Sequence, residues 1–219
     1  MKTRTNSAIK QATGIGVFSA LAFITTLICK LIPQVSGFLT LDAKDAVIAI
    51  ASFIYGPIVA PAISFIVAFI EFITISDTGP WGFLMNFLAS TIFSLSASLI
   101  YKFKKTLNGA VIGFGVATLL TTVAMALFNI FITPIYLGVP VSAVIQLLPG
   151  VLIPFNFAKT LLNSSIALLL YKPIINAMRA AKLVPQSEHK TSFNSTTVLA
   201  LIIGGVSLVS ALVILIIIW

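Results

Sequence analysis

The sequence predicts an all-α integral membrane protein with six core spans and one additional C-terminal transmembrane helix. Hydrophobic residues make up 59% of the 219 residues, charged residues only 8%, and the mean hydropathy is +1.14. Soluble domains contain about 45–50% apolar residues. Several apolar runs also approach the roughly 20 residues that a helix needs to cross a bilayer. A soluble fold of this length could not bury so much apolar side chain, so we exclude it.

Seven apolar segments are predicted as spans: residues 8–32, 46–55, 58–75, 81–101, 109–132, 151–171 and 196–219. Pro33 closes the first span, because the residue before a proline disfavours helix. The second span is short and ends at Gly56 and Pro57. Residues 76–80, Ser-Asp-Thr-Gly-Pro, have turn chemistry and separate the third span from the fourth.

The fourth span stops at the basic string 102–105. The fifth is followed by a stretch rich in proline and glycine, which predicts a loop through Pro149. The sixth span is expected to continue as a helix to Lys182. We therefore divide the chain into a six-helix membrane domain over 1–183, a polar linker over 184–195 and the extra helix over 196–219.

The basic residues predict the orientation in a bacterial plasma membrane. With the N-terminus in the cytoplasm, only Lys30 and Lys44 lie in outer segments. The inner segments hold Lys2, Arg4, Lys10, Lys102, Lys104, Lys105, Lys172, Arg179, Lys182 and Lys190. Lysine and arginine prefer cytoplasmic loops, so this bias supports a multi-pass topology with an extracellular C-terminus.

The composition argues against an enzyme and against nucleic-acid binding. The single histidine, His189, lies in the linker and the single cysteine, Cys29, in an apolar run, so neither a metal site nor a histidine triad can be built. No Walker phosphate loop occurs. The net charge of +8 is concentrated at span ends rather than on a soluble face. Binding or permeation of a solute remains.

The candidate binding residues centre on Lys159, which lies in the sixth span. A lysine in mid-membrane costs roughly 2.5–3.5 kcal/mol on insertion scales, so it is expected to face a protein interior or an aqueous cavity. Asn156 lies on the same helical face. Glu71, near the outer end of the third span, is expected to pair or to bind. Together these residues predict a polar pocket that opens outward.

Other acidic and aromatic residues have simpler interpretations. Asp42 and Asp45 are expected to cap the second span, and Asp77 to be an ordinary solvated loop charge. The rings of Trp81 and Phe155 offer stacking surface for a ligand, as do those of Phe87 and Phe157, but an apolar bundle also fills its core with such residues.

A stripe of small residues, Ala12, Gly16 and Ala20, recurs every four positions along the first span. Such stripes allow a second helix to approach closely. Two interpretations stay open: packing inside the bundle, or docking of a separate membrane subunit.

Four strings resemble the substrate-binding S components of energy-coupling factor (ECF) vitamin importers, particularly the riboflavin-binding branch. They are residues 39–45 with Gly56-Pro57, residues 86–89 (Asn-Phe-Leu-Ala), Asn129 with Pro134-x-Tyr136, and residues 154–159 (Pro-Phe-Asn-x-x-Lys) with 170–172. The resemblance covers residues 8–180. It implies a six-helix protein that binds a B vitamin at its outer face and releases it inward.

The resemblance also implies partners and site residues. S components associate with a transmembrane coupling subunit and two cytoplasmic ATPase subunits, and the small-residue stripe matches the surface that faces the coupling subunit. Residues matching Asn129, Asn156 and Lys159 contact the ligand in the riboflavin branch. We add Asn86, Trp81 and Glu71 as candidate substrate-binding residues. The vitamin is a transported substrate, and no cofactor is expected.

Two departures from the riboflavin pattern leave the vitamin open. Residues 77–82 and Glu71 differ from it at the expected pocket mouth, and the span over 196–219 is unusual for the family. Motif similarity favours riboflavin, with pantothenate, pyridoxine and hydroxymethylpyrimidine as rivals. The competing classes are a free-standing secondary carrier or channel for a small polar solute, and a structural subunit that would leave Lys159 unexplained.

Overall fold

The computed structural model of the chain describes residues 2–180 and 195–218, and these residues are almost entirely helical. The helices are α1 (Lys2–Cys29), α2 (Lys44–Tyr55), α3 (Val59–Thr74), α4 (Gly79–Phe103), α5 (Leu107–Leu137), α6 (Val141–Leu147), α7 (Ile153–Ala180) and α8 (Ser195–Ile218). The predicted linker over 184–195 lies outside the described residues except for its last position. The all-α membrane fold class is confirmed.

Helix α2 lies at the centre of the bundle, in contact with α1, α3, α4 and α7. Every residue from Lys44 to Ser52 is buried, which explains how a helix of 12 residues can be part of a membrane protein. It does not need to match the bilayer thickness, because protein rather than lipid surrounds it. The surrounding helices contact one another in the order α1, α3, α4, α5 and α7.

Among the residues that the structure describes, five segments are long and apolar enough to cross a membrane. They are Ile9–Cys29, Gly79–Phe103, Leu107–Leu137, Val141–Ile174 and Val198–Ile218. Helix α3 is apolar but has 16 residues. A short helix, α2, is present where the second span is predicted, and most predicted boundaries agree within a few residues.

The predicted loop through Pro149 is wrong. Helix α5 continues past Pro134 to Leu137 and ends at Gly138, whose φ of 67° is left-handed. Helix α6 begins three residues later, and a π-helical turn, Leu148–Leu152, joins it to α7. Pro149 therefore lies inside a continuous helical stretch, at its π-helical turn. Prolines and π-helical turns are common causes of local irregularity in such helices.

One end of the bundle is closed by aromatic side chains. Phe53 stacks on Tyr101 with ring centroids 4.2 Å apart, and the hydroxyl groups of Tyr101 and Tyr171 lie 2.6 Å apart. Phe114 also packs against Phe53. The opposite end is built from residues 30–43, 75–78 and 138–152 and contains the cavity described below; we call it the cavity end.

Helix α8 packs along α7 and makes a smaller contact with α5. A side chain at Gly204 would lie within 3.4–3.6 Å of Leu169 and of the Ser165 carbonyl, so the two helices approach closely there. Ala211 and Leu215, nearer the cavity end, are buried, whereas Ile216 and Ile217 are more than 70% exposed.

Candidate functional site

A polar-lined cavity opens at the cavity end, between α4, α5, α7 and the segment 38–40 that precedes α2. Its volume is about 110 Å³, and the empty space including its open mouth is about 700 Å³. The lining residues are Phe38, Leu39, Thr40, Thr78, Trp81, Gly82, Met85, Asn86, Ala89, Met125, Asn129, Thr133, Tyr136, Phe155, Asn156 and Lys159. The lining is therefore a mixture of amide, hydroxyl, aromatic and thioether groups, which is typical of small-molecule sites.

Five of the six predicted binding residues line this cavity: Trp81, Asn86, Asn129, Asn156 and Lys159. The sixth, Glu71, does not line it. It lies behind Asn86, in a smaller neighbouring cleft, and accepts a hydrogen bond from the Asn86 amide at 3.1 Å.

Lys159 is 8% exposed and its ammonium donates to Asp42 Oδ2 at 2.8 Å. The ammonium of Lys44 lies 3.5 Å from the same oxygen. Burial alone would raise the pKa of Asp42, but the two ammonium groups outweigh it and lower that pKa below its ordinary value. Asp42 is therefore an ionised partner that holds Lys159 in place.

Lys44 is a second buried cation, and the sequence analysis missed it. The sequence predicts it in an outer segment, but it is 1% exposed and donates to both carboxylate oxygens of Glu71, at 2.8 and 2.7 Å. Thr26 also hydrogen-bonds Glu71. The expected helix-pairing role of Glu71 thus has a physical basis, since the carboxylate joins α3 to α1, α2 and α4.

The expected capping of α2 by Asp42 and Asp45 is wrong. The N-cap residue is Ala43, with no side-chain capping bond. The Asp42 carboxylate turns toward Lys159 and Lys44 instead, and Asp45 accepts a hydrogen bond from Ser90 of α4. Buried cations on neighbouring elements attract Asp42 more strongly than a helix terminus does. Asp77, in contrast, is exposed and pairs with Lys30 at the surface.

Asn163, which the sequence analysis did not select, fixes α7 against the start of α2. Its side-chain oxygen accepts from the Ala46 N–H at 2.9 Å, and its amide donates to the carbonyl groups of Asp42 and Lys159. The residue is fully buried. Its spacing of four from Lys159, on the same helical face, was the sequence signal available for it.

Unlike Asn86, the cavity amides of Asn129 and Asn156 make their hydrogen bonds along their own helical stretch. Asn129 donates to the Met125 carbonyl and accepts from Thr133, while Asn156 donates to the Leu152 carbonyl at the π-helical turn. Single π-helical turns inside longer helices are frequent at functional sites. Here the turn lies directly before the residues of α7 that line the cavity.

The hydroxyl of Tyr136 is the clearest unsatisfied group of the cavity. Its oxygen is buried and finds no hydrogen-bond partner among the residues that the structure describes. Leaving such a group unpaired costs about 1–3 kcal/mol. The oxygen is closed to solvent, so a ligand would reach it only if the surrounding side chains moved.

The segment 30–43 covers one side of the cavity. Val35 and Leu39 form a backbone bridge around a tight turn, in which Ser36 and Gly37 have positive φ angles. The turn presents Phe38, whose ring lies 6.1 Å from that of Tyr136 in an edge-on arrangement. Residues 38–40 therefore reach across the mouth from α2 to α5.

The small-residue stripe lies on the outside of the bundle. Ala12, Gly16 and Ala20 are exposed, and a side chain at Gly16 would meet nothing within 4 Å. The inward face of α1 is formed instead by Gly14, Phe18 and neighbouring residues. Internal packing does not account for the stripe.

A bundle of membrane-spanning helices with a polar cavity open at one end defines a membrane-embedded solute-binding protein. The model of the family "ECF transporter, substrate-specific component" matches residues 10–175, well over half of the chain. The chain belongs to this family, which is a family of transporter components and not of enzymes.

Two characterised relatives share much of the chain. The riboflavin transporter RibU of Staphylococcus aureus (strain TCH60) is 30% identical over 177 residues, which cover 78% of this chain and 93% of the relative. The riboflavin transporter FmnP of Bacillus subtilis (strain 168) is 26% identical over 185 residues, covering 79% and 97%.

A solved structure is also similar. It was reported as "Structure and mechanism of the S component of a bacterial ECF transporter", and it matches with a TM-score of 0.67 and 30% identity. The match covers 78% of this chain and 99% of that one. The family match ends at residue 175, so α8 lies outside it.

Proposed function

We propose that this chain is the vitamin-binding subunit of an ECF importer and that its substrate is riboflavin. A cavity lined by amides, aromatic rings and the buried ammonium of Lys159 is the observation that carries the proposal. The relatives that cover most of the chain are described as riboflavin transporters. The vitamin is bound as transported substrate, and the chain needs no cofactor to bind it.

The balance of buried charge supports a neutral vitamin over an anionic one. Within the described residues, the buried cations are Lys44 and Lys159, and the buried acids are Asp42, Asp45 and Glu71. Each ammonium already has a carboxylate partner, at 2.7 Å for Lys44 and 2.8 Å for Lys159. Pantothenate would bring another carboxylate into a site with no unneutralised cation. The uncharged isoalloxazine of riboflavin avoids that cost.

The lining also suits the shape and polarity of a flavin. An isoalloxazine has a polar edge of carbonyl and ring-nitrogen atoms and two apolar faces. The remaining N–H donors of Lys159 and the amides of Asn129 and Asn156 would bind the polar edge. The rings of Trp81 and Phe155 would cover the faces. Asn86 would contact the ligand directly, with Glu71 as the residue that orients its amide.

The family implies transport partners. In this proposal the chain works in an ABC-type importer with a transmembrane coupling subunit and two cytoplasmic ATPase subunits, and the stripe Ala12, Gly16 and Ala20 faces the coupling subunit. The cavity end lies at the extracellular side of the plasma membrane. No nucleic acid takes part.

Purified protein tests the substrate. Riboflavin bound from the expression host would make the preparation yellow, and titration should quench flavin fluorescence with a Kd below about 1 µM, corresponding to about −8 kcal/mol. Lys159→Met should raise that Kd by more than about tenfold, because a buried ligand group would lose its partner. The control, Lys102→Met, changes an exposed lysine at the other end of the bundle.

Two outcomes would contradict the proposal. Competition of unlabelled pantothenate at concentrations equal to riboflavin would assign the site to a different vitamin. An unchanged riboflavin Kd in Lys159→Met would remove this ammonium from the ligand's contacts.

A further inference from the structure

Helix α8 forms part of a buried hydrophobic cluster that extends to the cavity. The cluster contains Val35 and Leu41 of the segment before α2, Phe155, Ala158 and Leu162 of α7, and Ala211 and Leu215 of α8. All seven residues are less than 9% exposed. It is separate from the main core around α2.

Two residues belong both to this cluster and to the cavity wall. Phe155 is a buried member of the cluster and lines the cavity, and Leu39 packs against the cluster and lines the cavity. One layer of side chains therefore lies between α8 and the space for the ligand. Displacing Leu215 would shift the side chains that line the cavity, because packed interiors transmit strain.

The cluster also holds the base of the cavity's covering segment. Val35 and Leu41 enclose the turn that presents Phe38 to Tyr136. The described backbone between α1 and α2 contains a single bridge, Val35 with Leu39, so side-chain contacts hold most of this segment. Asp42 is held by its ion pair with Lys159, and Val35 and Leu41 by burial in the cluster. Ala211 and Leu215 supply part of that burial from the α8 side.

We propose that α8 is a positioning element for the binding site. Through Ala211 and Leu215 it fixes Phe155 and the segment 35–41 in the geometry that binds the ligand, and so slows ligand release. This role rests on the proposed function for the identity of the ligand, but not for the order of the segment. Helix α8 lies beyond the family match, so the device is an addition to the shared bundle.

The first test compares Leu215→Ala with Ile216→Ala. The two changes remove side chains of equal size from adjacent positions of α8, one 4% and one 75% exposed. We expect Leu215→Ala to raise the riboflavin dissociation rate by at least about threefold, since interface truncations act mainly on release. Ile216→Ala should leave it unchanged. Equal rates in all three proteins would overturn the proposal.

A double variant separates positioning from general stability. If Leu215 acts through Phe155, then Leu215→Ala should have little further effect on dissociation in a Phe155→Ala background, because neighbouring residues that share one mechanism are not additive. If the effects of Leu215→Ala and Phe155→Ala on the dissociation rate were fully additive, Leu215 would not act through Phe155, and the proposal would be overturned. Thermal unfolding of each protein in detergent would show that the variants are folded at the assay temperature.

A measurement without vitamin distinguishes this proposal from the proposed function. A spin label at Ser36→Cys, in a Cys29→Ser background, reports the mobility of the covering turn. Leu215→Ala should increase that mobility and Ile216→Ala should not. Unchanged mobility would overturn the role of α8 even if riboflavin binds, whereas increased mobility without riboflavin binding would refute only the vitamin assignment.

Discussion

The buried ion pairs determine how the cavity end is held together at the scale of single residues. Asp42 Oδ2 lies within 3.5 Å of two ammonium groups, and Glu71 neutralises the second of them. The series of ion pairs that runs from Lys159 through Asp42 and Lys44 to Glu71 thus connects α7, the segment before α2, α2 itself and α3. Burying charged groups is costly. Removing one partner of a buried pair therefore lowers stability more than replacing the whole pair by apolar residues does.

Separate and joint substitution of Asp42 and Lys159 should therefore be strongly non-additive. Asp42→Asn and Lys159→Met alone should each lower the free energy of unfolding by about 3–5 kcal/mol, because each leaves a buried charge. The double variant should lose less than the sum, with a coupling energy of about 0.5–3 kcal/mol. Denaturant unfolding in mixed micelles, with no vitamin present, measures all four proteins.

The surface pair Lys30 and Asp77 provides the control cycle. Its side chains are 28% and 64% exposed, so water screens them. Lys30→Met and Asp77→Asn should couple by at most about 1 kcal/mol. Coupling of the buried pair no larger than that of this control would contradict a structural role for the Lys159–Asp42 contact.

The sequence identified Lys159 and Asn156 because a cation in an apolar helix is rare and costly wherever it lies. The pairing of Lys44 with Glu71 could not be predicted in the same way. The two residues are 27 positions apart on different helices, and the sequence does not say which helices are neighbours. Lys44 also follows a loop directly, so its charge was indistinguishable from a solvated one.

At the scale of helices, α1 packs one face against the bundle and leaves the other exposed. Gly14 faces the bundle, where an added side chain would lie 2.1 Å from the Tyr55 hydroxyl, whereas Gly16 faces outward with nothing near it. The sequence predicted the stripe correctly but could not choose its face, because both alternatives need small residues at the same spacing.

Bulky residues on the outer face of α1 should block uptake without affecting binding. Gly16→Leu and Ala20→Leu should leave the riboflavin Kd within about twofold and abolish uptake into cells, since a large side chain prevents close helix approach. Gly115→Leu is the matched control, because Gly115 is likewise exposed and open but lies on α5. Gly14→Leu should instead damage the bundle and lose binding as well. Normal uptake by Gly16→Leu and Ala20→Leu would exclude the stripe as the docking surface.

The α6–α7 connection shows why proline and glycine are poor indicators of a loop in this protein. Proline and glycine between residues 133 and 150 predicted a loop, yet helix and π-helical turn fill most of that stretch. Pro134 lies inside α5 and Pro149 at the π-helical turn. Membrane helices tolerate proline because neighbouring helices and local π-helical adjustments satisfy the freed backbone groups. The rule for soluble loops therefore failed in an apolar bundle.

At the scale of the whole molecule, the distribution of basic residues and the number of crossings determine the topology. Seven crossings, as the sequence predicts, would place the two termini on opposite sides of the membrane, and the lysine-rich end of α4 would then lie with the N-terminus in the cytoplasm. The cavity end, with residues 30–43, faces outward in this arrangement. The topology makes separate predictions for the cavity and for the C-terminus, because a crossing by α8 changes the side of the C-terminus and leaves the side of the cavity unchanged.

Labelling of single cysteines in intact cells should verify this topology. In a Cys29→Ser background, a membrane-impermeant maleimide should label Ser36→Cys and a cysteine added after residue 219, because both lie outside. Lys104→Cys, exposed in the turn after α4, should be labelled only once the membrane is opened. The Cys29→Ser protein itself gives the background. Reversal of the Ser36→Cys and Lys104→Cys results would invert the whole bundle and place the cavity at the wrong face for import. A protected C-terminal cysteine with Ser36→Cys still labelled would mean that α8 does not cross the membrane, because a seventh crossing requires the two to be on the same side.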